Sequence, residues 1–176
     1  MNIVLIGYRG TGKSVVAQLL AHRLGMASLG MDAEIVRQAG MSIPAFVEKH
    51  GWDKFRDLET AVARAAAERD NIIIDTGGGV IERPENIEAL RENGRIFWLM
   101  ASVEVIVGRI ASGTERPALT AGKTFTEEVA EVLDRRTARY AAACHHRIDT
   151  DPVTPEEVAA GIVRILQREE EKPAKA

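Results

Sequence analysis

Eight residues, Gly7-Tyr8-Arg9-Gly10-Thr11-Gly12-Lys13-Ser14, spell G-x-x-x-x-G-K-S. This is the spacing of a phosphate-binding loop, or P-loop. Glycines let backbone N–H groups turn inward around phosphate oxygens. A helix starting near Gly12 points the positive end of its dipole at the same anion. Gly10, Thr11, Gly12, Lys13, Ser14 and Val15 are therefore the candidate nucleotide-binding residues. Lys13 reaches the β- and γ-phosphates, and the Ser14 hydroxyl can ligate Mg²⁺. The loop follows the apolar run Ile3-Val4-Leu5-Ile6 and precedes a helical stretch from Val15 to Leu24. That strand-loop-helix setting separates a working P-loop from a chance glycine-rich turn.

Further chemistry-bearing residues lie downstream. Asn71-Ile72-Ile73-Ile74-Asp75 is an apolar run ending in a carboxylate, which beside a P-loop strand helps to hold Mg²⁺. Thr76-Gly77-Gly78-Gly79 follows, and bare backbone there permits close approach of a ligand. Asp32, before Ala33-Glu34-Ile35-Val36, suits a helix N-cap, and equally a carboxylate that orients an acceptor hydroxyl. Arg56 in F-R-D-L-E reads as an i,i+3 partner of Glu59 on a wet helix. Arg135, Arg136 and Arg139 form a basic cluster whose simplest reading is a solvated helix face.

These residues need a scaffold, and the chain has the composition for one. Its 176 residues are 45% hydrophobic, enough for one well-buried domain over 1–170, with a charged tail from Glu169 onward. Apolar runs at Asn2–Ile6, Ala27–Leu29, Asn71–Asp75, Arg95–Met100 and His146–Asp149 read as five short strands. Helical patterns fall at Lys13–Leu24, Asp32–Ala39, Ile43–His50, Trp52–Arg69, Pro84–Asn93, Val103–Ala111 and Thr126–Ala142, with a last helix after Pro155. Val16, Leu19, Leu20 and Leu24 share one face of the first helix. The alternation predicts a three-layer α/β fold, a five-stranded parallel sheet with helices on both faces and ligands at the carboxyl ends of the strands. Ala111 to Lys123 breaks the pattern, with two glycines, a proline and Arg116 at its middle. It is expected to be a mobile lid that keeps water from the γ-phosphate.

Charge narrows the partners. With 23 basic and 26 acidic residues the net charge is −3, which gives no global attraction to nucleic acid or membrane. An anionic substrate must meet a local arginine and lysine cluster instead. The single cysteine, Cys144, excludes an internal disulfide, and in A-A-A-C-H-H it reads as a partly buried thiol beside helix-end histidines. No apolar run approaches the roughly 20 residues that span a bilayer, and the first residues go straight into a strand. A cytoplasmic, monomeric enzyme is expected.

Taken in order, G-x-x-x-x-G-K-S, M-D-A-E-I, F-R-D-L-E, T-G-G-G, E-R-P-A-L and R-T-A-R-Y resemble the shikimate kinases, small P-loop enzymes of the nucleoside-monophosphate-kinase type. The resemblance covers nearly the whole chain from Asn2. It implies transfer of the ATP γ-phosphoryl group to the 3-hydroxyl of shikimate, a step of chorismate and aromatic amino acid biosynthesis. It also implies roles residue by residue. Asp32 matches the aspartate at the reacting hydroxyl, and Arg56 and Arg136 match two arginines that clamp the shikimate carboxylate. Gly77, Gly78 and Gly79 match the glycines lining the ring. Glu59 matches a glutamate that positions the first arginine, and Phe55 an apolar wall. Arg116 matches the lid arginine facing the phosphates, and Arg109 the arginine near adenine. Lys13, Asp32 and Arg116 are thus the expected catalytic residues, with Ser14 and Asp75 at the metal.

The chain departs from the family in one place. Many members read D-x-D where this chain has Gly30-Met31-Asp32, and the first of those aspartates is associated with Mg²⁺ water ligands. Asp75 stands where many have a small residue, so a carboxylate is expected to have moved from the second strand to the third. The region after Asp149 also lacks the basic residues that some members place near adenine. Gluconate kinases share the P-loop and lid but have no need of both carboxylate-clamping positions. The base-reading segments of nucleoside-monophosphate kinases and the guanine-reading N-K-x-D of GTP switches have no counterpart here.

Overall fold

The strands alternate strictly, and that alternation builds the core. In the computed structural model, which describes residues 1–111, 124–151 and 153–171, five strands form one parallel sheet. They are β1 (Asn2–Ile6), β2 (Ala27–Gly30), β3 (Ile72–Asp75), β4 (Gly94–Met100) and β5 (His146–Asp149), in the order β2-β3-β1-β4-β5. Successive side chains of a strand point to opposite faces. Val4, Ile6, Ile72, Ile74, Ile96 and Trp98 therefore share one buried cluster with Met31, Ile35, Val62, Leu90 and Tyr140. Ile3, Leu5, Ile73, Phe97 and Leu99 share another with Val16, Leu20, Val158 and Ile162.

The first face is covered by α2 (Met31–Ala39), α3 (Ile43–Ala67), α4 (Pro84–Glu92) and α6 (Phe125–Ala143), and the second by α1 (Lys13–Leu24) and α7 (Pro155–Glu170). The remaining helix, α5 (Val103–Ala111), packs with α6 around Ile106, Val129 and Tyr8. Both faces are thus helix-covered, which explains the near-continuous apolar runs of the strands.

The chain leaves β1 for β2 on one side and later returns past β1 to β4 on the other. The carboxyl end of β1 is therefore the switch point of the sheet, where open α/β folds bind ligands. The P-loop starts there.

Several boundaries differ from the sequence reading by a residue. One expected break is real: α3 carries Gly51 at φ 83°, ψ 164°, so two helical segments meet at a kink where the pattern places Ile43–His50 and Trp52–Arg69. A 3₁₀ turn at Val80–Glu82 was not expected. Leu24 is 37% exposed, and Ala17 takes its place on the buried face of α1. The tail begins later than its charge suggests, because α7 runs to Glu170. Glu169 is held there by Arg95 Nε at 2.9 Å and lies 3.0 Å from His146 Nε2. Pairing across to β4 and β5 explains why this charged turn stays helical.

Candidate active site

The P-loop leaves β1 at Gly7 and enters α1 through Gly12, its N-cap, at φ 89°. Gly10 also has positive φ, at 82°, a region that residues with a Cβ rarely adopt. The first intrahelical bond of α1 runs from Val16 N to Gly12 O, so the amides of Lys13, Ser14 and Val15 precede it, as at any helix N-terminus that can receive an anion. Lys13 is buried, and its Nζ donates to Gly7 O at 2.9 Å and Tyr8 O at 3.0 Å. Burial lowers its pKa, while the Asp75 and Asp32 carboxylates oppose that shift. Lys13 thus feels two carboxylates, one at the end of β3 and one in the first turn of α2.

Ser14 is tied to β3: its Oγ donates to Asp75 Oδ2 at 2.6 Å. Burial raises the Asp75 pKa, and the Ser14 hydrogen bond and Lys13 pull it back. Thr76 closes the junction, with both its backbone N and its Oγ1 donating to Leu5 O. Gly30 lies in register with Asp75 on the neighbouring strand.

A cavity of about 830 Å³ opens over this junction. Its lining includes Arg9, Gly10, Gly12, Lys13, Ser14 and Val15 from the loop and α1, together with Gly30, Asp32, Asp75, Gly78 and Arg109. Asp32 is not an N-cap. Gly30 caps α2, and Asp32 sits in the helix's first turn. Its carboxylate faces Gly77 so closely that a Cβ there would lie 2.6 Å from Asp32 Oδ1. Arg109 Nη1 donates to Gly10 O at 3.3 Å and to Thr150 Oγ1 at 3.1 Å, which ties α5 to the loop and to the end of β5.

The glycine run is gripped from two helices. Arg56, on α3, donates to Glu59 Oε2 at 2.5 Å and to Gly79 O at 3.2 Å. The expected i,i+3 pair therefore exists, but it is no wet surface pair: the side chains are 15% and 1% exposed. Burial raises the Glu59 pKa, with Arg56 opposing. Arg56 also lies over the rings of Phe55 and Trp52. Arg136, on α6, donates from Nη1 to Gly78 O at 3.4 Å and from Nε to Glu82 at 2.6 Å. It too leaves the solvated face expected for its cluster, whereas Arg135 and Arg139 stay exposed.

Of the segment expected as a lid, 111–123, residues 112–123 with Arg116 lie outside the described residues. Three site residues were missed from sequence. Glu82 bridges Arg136 and Arg139. Tyr140 Oη donates to Gly78 O, and its ring stacks on Trp98. Arg9 lines the cavity with its guanidinium 5.3 Å from the Phe125 ring centre. Arg9 had a signal, being a cation inside the P-loop. Glu82 and Tyr140 had none, because their partners come from distant elements. Cys144 is a free, half-buried thiol near Ala141 O, and among the described residues no cluster of three or more His, Cys, Asp or Glu could cage a metal. No helix among the described residues is long and apolar enough to cross a membrane.

Comparison with known proteins shows the family. The sequence model of shikimate kinase matches residues 9–167. A shikimate kinase of Caldicellulosiruptor bescii is 38% identical over 97% of this chain and 98% of its own length. One from Nitratidesulfovibrio vulgaris is 43% identical over 85% of this chain and 87% of its own. The solved structure of the Acinetobacter baumannii shikimate kinase in complex with shikimate superposes with a TM-score of 0.90, at 32% identity, over 97% of this chain and 95% of that one. Agreement of this extent, in sequence and in fold, makes the chain a member of the shikimate kinase family.

Proposed function

We propose that this chain transfers the γ-phosphoryl group of ATP to the 3-hydroxyl of shikimate, giving shikimate 3-phosphate and ADP. One observation carries the reading. Two arginines from different helices, Arg56 and Arg136, converge on the carbonyls of Gly79 and Gly78, and Gly78 lines the same cavity as the P-loop. A planar guanidinium donates paired hydrogen bonds to a carboxylate, and shikimate has one. Its three hydroxyls suit Asp32 and the glycine backbone.

The division of labour follows from position. Arg56 and Arg136 bind and orient the acceptor, with Phe55 as an apolar wall. Asp32, beside Gly77, holds the reacting hydroxyl and accepts its proton. Gly10, Thr11, Gly12, Lys13, Ser14 and Val15 receive the phosphates, and Arg109 lies toward the adenine side. Lys13 holds the γ-phosphate oxygens, and Arg116 completes the positive field from the lid. Phosphoryl transfer asks mainly for positioning and charge stabilisation, so this division is chemically sufficient.

The donor set fits Mg²⁺. Ser14 Oγ and Asp75 Oδ2 are hard oxygen donors 2.6 Å apart at the phosphate end of the cavity. A site with few protein ligands suits a cation that keeps several waters. When bound there, Mg²⁺ neutralises charge on the β- and γ-oxygens. A cytoplasmic monomer acting on a small molecule, with no nucleic-acid or membrane partner, completes the reading, and the net charge of −3 supports it.

A coupled ADP-release assay with MgATP, comparing shikimate and gluconate as acceptors, tests the proposal. Turnover with shikimate alone is expected. Folded protein without shikimate-dependent ADP release, or with a preference for gluconate, rejects it.

A further inference from the structure

The two clamping arginines are anchored differently. Arg56 takes its carboxylate from its own helix, since Glu59 lies one turn further on. Arg136 takes one from 54 positions earlier in the chain. Glu82, at the end of the 3₁₀ turn that follows the glycine run, accepts from Arg136 Nε at 2.6 Å through Oε1. Its Oε2 accepts from Arg139 Nη1. Both carboxylate oxygens are thus engaged. The Arg136 side chain is 15% exposed and that of Arg139 is 51% exposed, so the inner guanidinium faces the glycine run and the outer one faces solvent. With Nε on Glu82 and Nη1 toward Gly78 O, the guanidinium plane is fixed at two of its nitrogens.

We propose that Glu82 is a positioning residue for substrate binding: it sets the plane of Arg136 as Glu59 sets that of Arg56, and Arg139 offsets its charge so that the acceptor anion still meets a net positive site. The inference rests on Arg136 being a carboxylate-binding arginine. An arginine has a long, rotamer-rich side chain, and ordering it before the ligand arrives removes a cost from binding. The opposing effect is repulsion between Glu82 and an incoming carboxylate. Charge count decides between them. Within the two arginine–glutamate groups, Arg56, Arg136 and Arg139 against Glu59 and Glu82 leave one positive charge, while Asp32, against Gly77, is assigned to the hydroxyls. Burial would raise the Glu82 pKa, but Arg136, Arg139 and Arg56 outweigh it and hold the carboxyl below its ordinary range. Glu82 therefore stays ionised at neutral pH, and its charge is already spent on two guanidiniums. The role resides in this chain's own Glu82, and the sequence of the turn, V-I-E, gives no hint of it without α6 alongside.

The test measures shikimate and ATP KM and kcat by ADP release for the native chain and for Glu82→Ala, Glu82→Gln, Arg136→Ala and the Glu82→Ala/Arg136→Ala pair. Glu82→Ala is expected to raise shikimate KM about tenfold, within the range of coupling between contacting charged side chains, with ATP KM and kcat held within about twofold. Glu82→Gln should recover part of the loss, because its amide oxygen still accepts from Arg136 Nε. In the Arg136→Ala background, removing Glu82 should change shikimate KM by less than about twofold, since nothing is left to position. If Glu82→Ala fails to fold by circular dichroism, Glu82→Gln with and without Arg136→Ala carries the same comparison. A shikimate KM that is unchanged or lower without Glu82 overturns the proposal, as does an equal rise with Arg136 absent. Native protein that turns over shikimate, with Arg136→Ala raising its KM, keeps the functional reading whatever Glu82 does. Native protein inert toward shikimate overturns that reading and the positioning role together.

Discussion

Ser14 Oγ donates to Asp75 Oδ2 at 2.6 Å, joining the first turn of α1 to the end of the adjacent strand β3. The bond places a carboxylate in the lining of the P-loop cavity. Gly30, where the family resemblance leads one to expect a carboxylate, is in register with Asp75 on β2. The two positions are therefore neighbours across one strand pairing.

Asp75→Asn keeps the size of the side chain and removes its charge. It is expected to raise the Mg²⁺ requirement and to lower kcat by about 10–100-fold, with shikimate affinity changed far less. Gly30 has φ −89°, and an added Cβ meets only Ala33 Cβ at 3.9 Å, so Gly30→Asp is sterically allowed. In the Asp75→Asn background it should recover part of the activity. A Mg²⁺ titration identical to that of the native chain would assign Asp75 to the glycine turn alone.

The same substitution should move stability the other way. Burial raises the Asp75 pKa above its unfolded value, despite Ser14 and Lys13. The folded state thus favours the protonated carboxyl. That contribution is full below the unfolded pKa near about 4 and is lost as pH rises through the folded pKa. Asp75→Asn is expected to melt above the native chain at about pH 7, with the gap closing toward about pH 4. A lower Tm at neutral pH would mean that the ionic partners outweigh burial.

Arg136→Ala and Arg56→Ala should each weaken shikimate much more than ATP. Losing one partner of a charged hydrogen-bonded pair costs roughly 2–5 kcal/mol. Isothermal titration with each substrate separates the cases, and equal losses for both would point to misfolding.

Gly79→Ala probes the clamp without touching a charge. At φ −98° the backbone tolerates alanine, but the new Cβ would lie 2.8 Å from Arg56 Cζ. The guanidinium must shift, so shikimate KM should rise about tenfold or more while ATP KM holds. An unaltered shikimate KM would place the acceptor carboxylate away from Arg56.

Arg116→Ala should lower kcat by more than about tenfold while leaving shikimate binding largely intact, if the proposed role of Arg116 on charge that develops during transfer holds. An unchanged kcat would make the Ala111 to Lys123 segment an ordinary loop.

The fold was legible because its signals are local. Strand and helix periods, the P-loop glycines and the break at Gly51 are each written within a few consecutive residues, and backbone geometry reads them directly. Lys13, Ser14 and the glycine run stand out in the sequence for the same reason, and the fold brings Lys13, Ser14 and Gly78 to one cavity. Where a side chain's meaning depends on its surroundings, sequence left two readings open. Asp32 looked like a helix cap, and only the fold of α2, capped by Gly30, brings its carboxylate against Gly77. The Arg56–Glu59 pair is visible as i,i+3 spacing, but its burial comes from the packing of α3 against the glycine run. Glu82 and Tyr140 take their partners across 54 and 62 positions, and no local pattern encodes such a contact. Sequence by itself determined the elements and the phosphate-binding chemistry, since these follow from backbone propensity and residue type. Tertiary structure alone decided which charges face one another, because that depends on which strand ends and helices the parallel sheet brings to one edge.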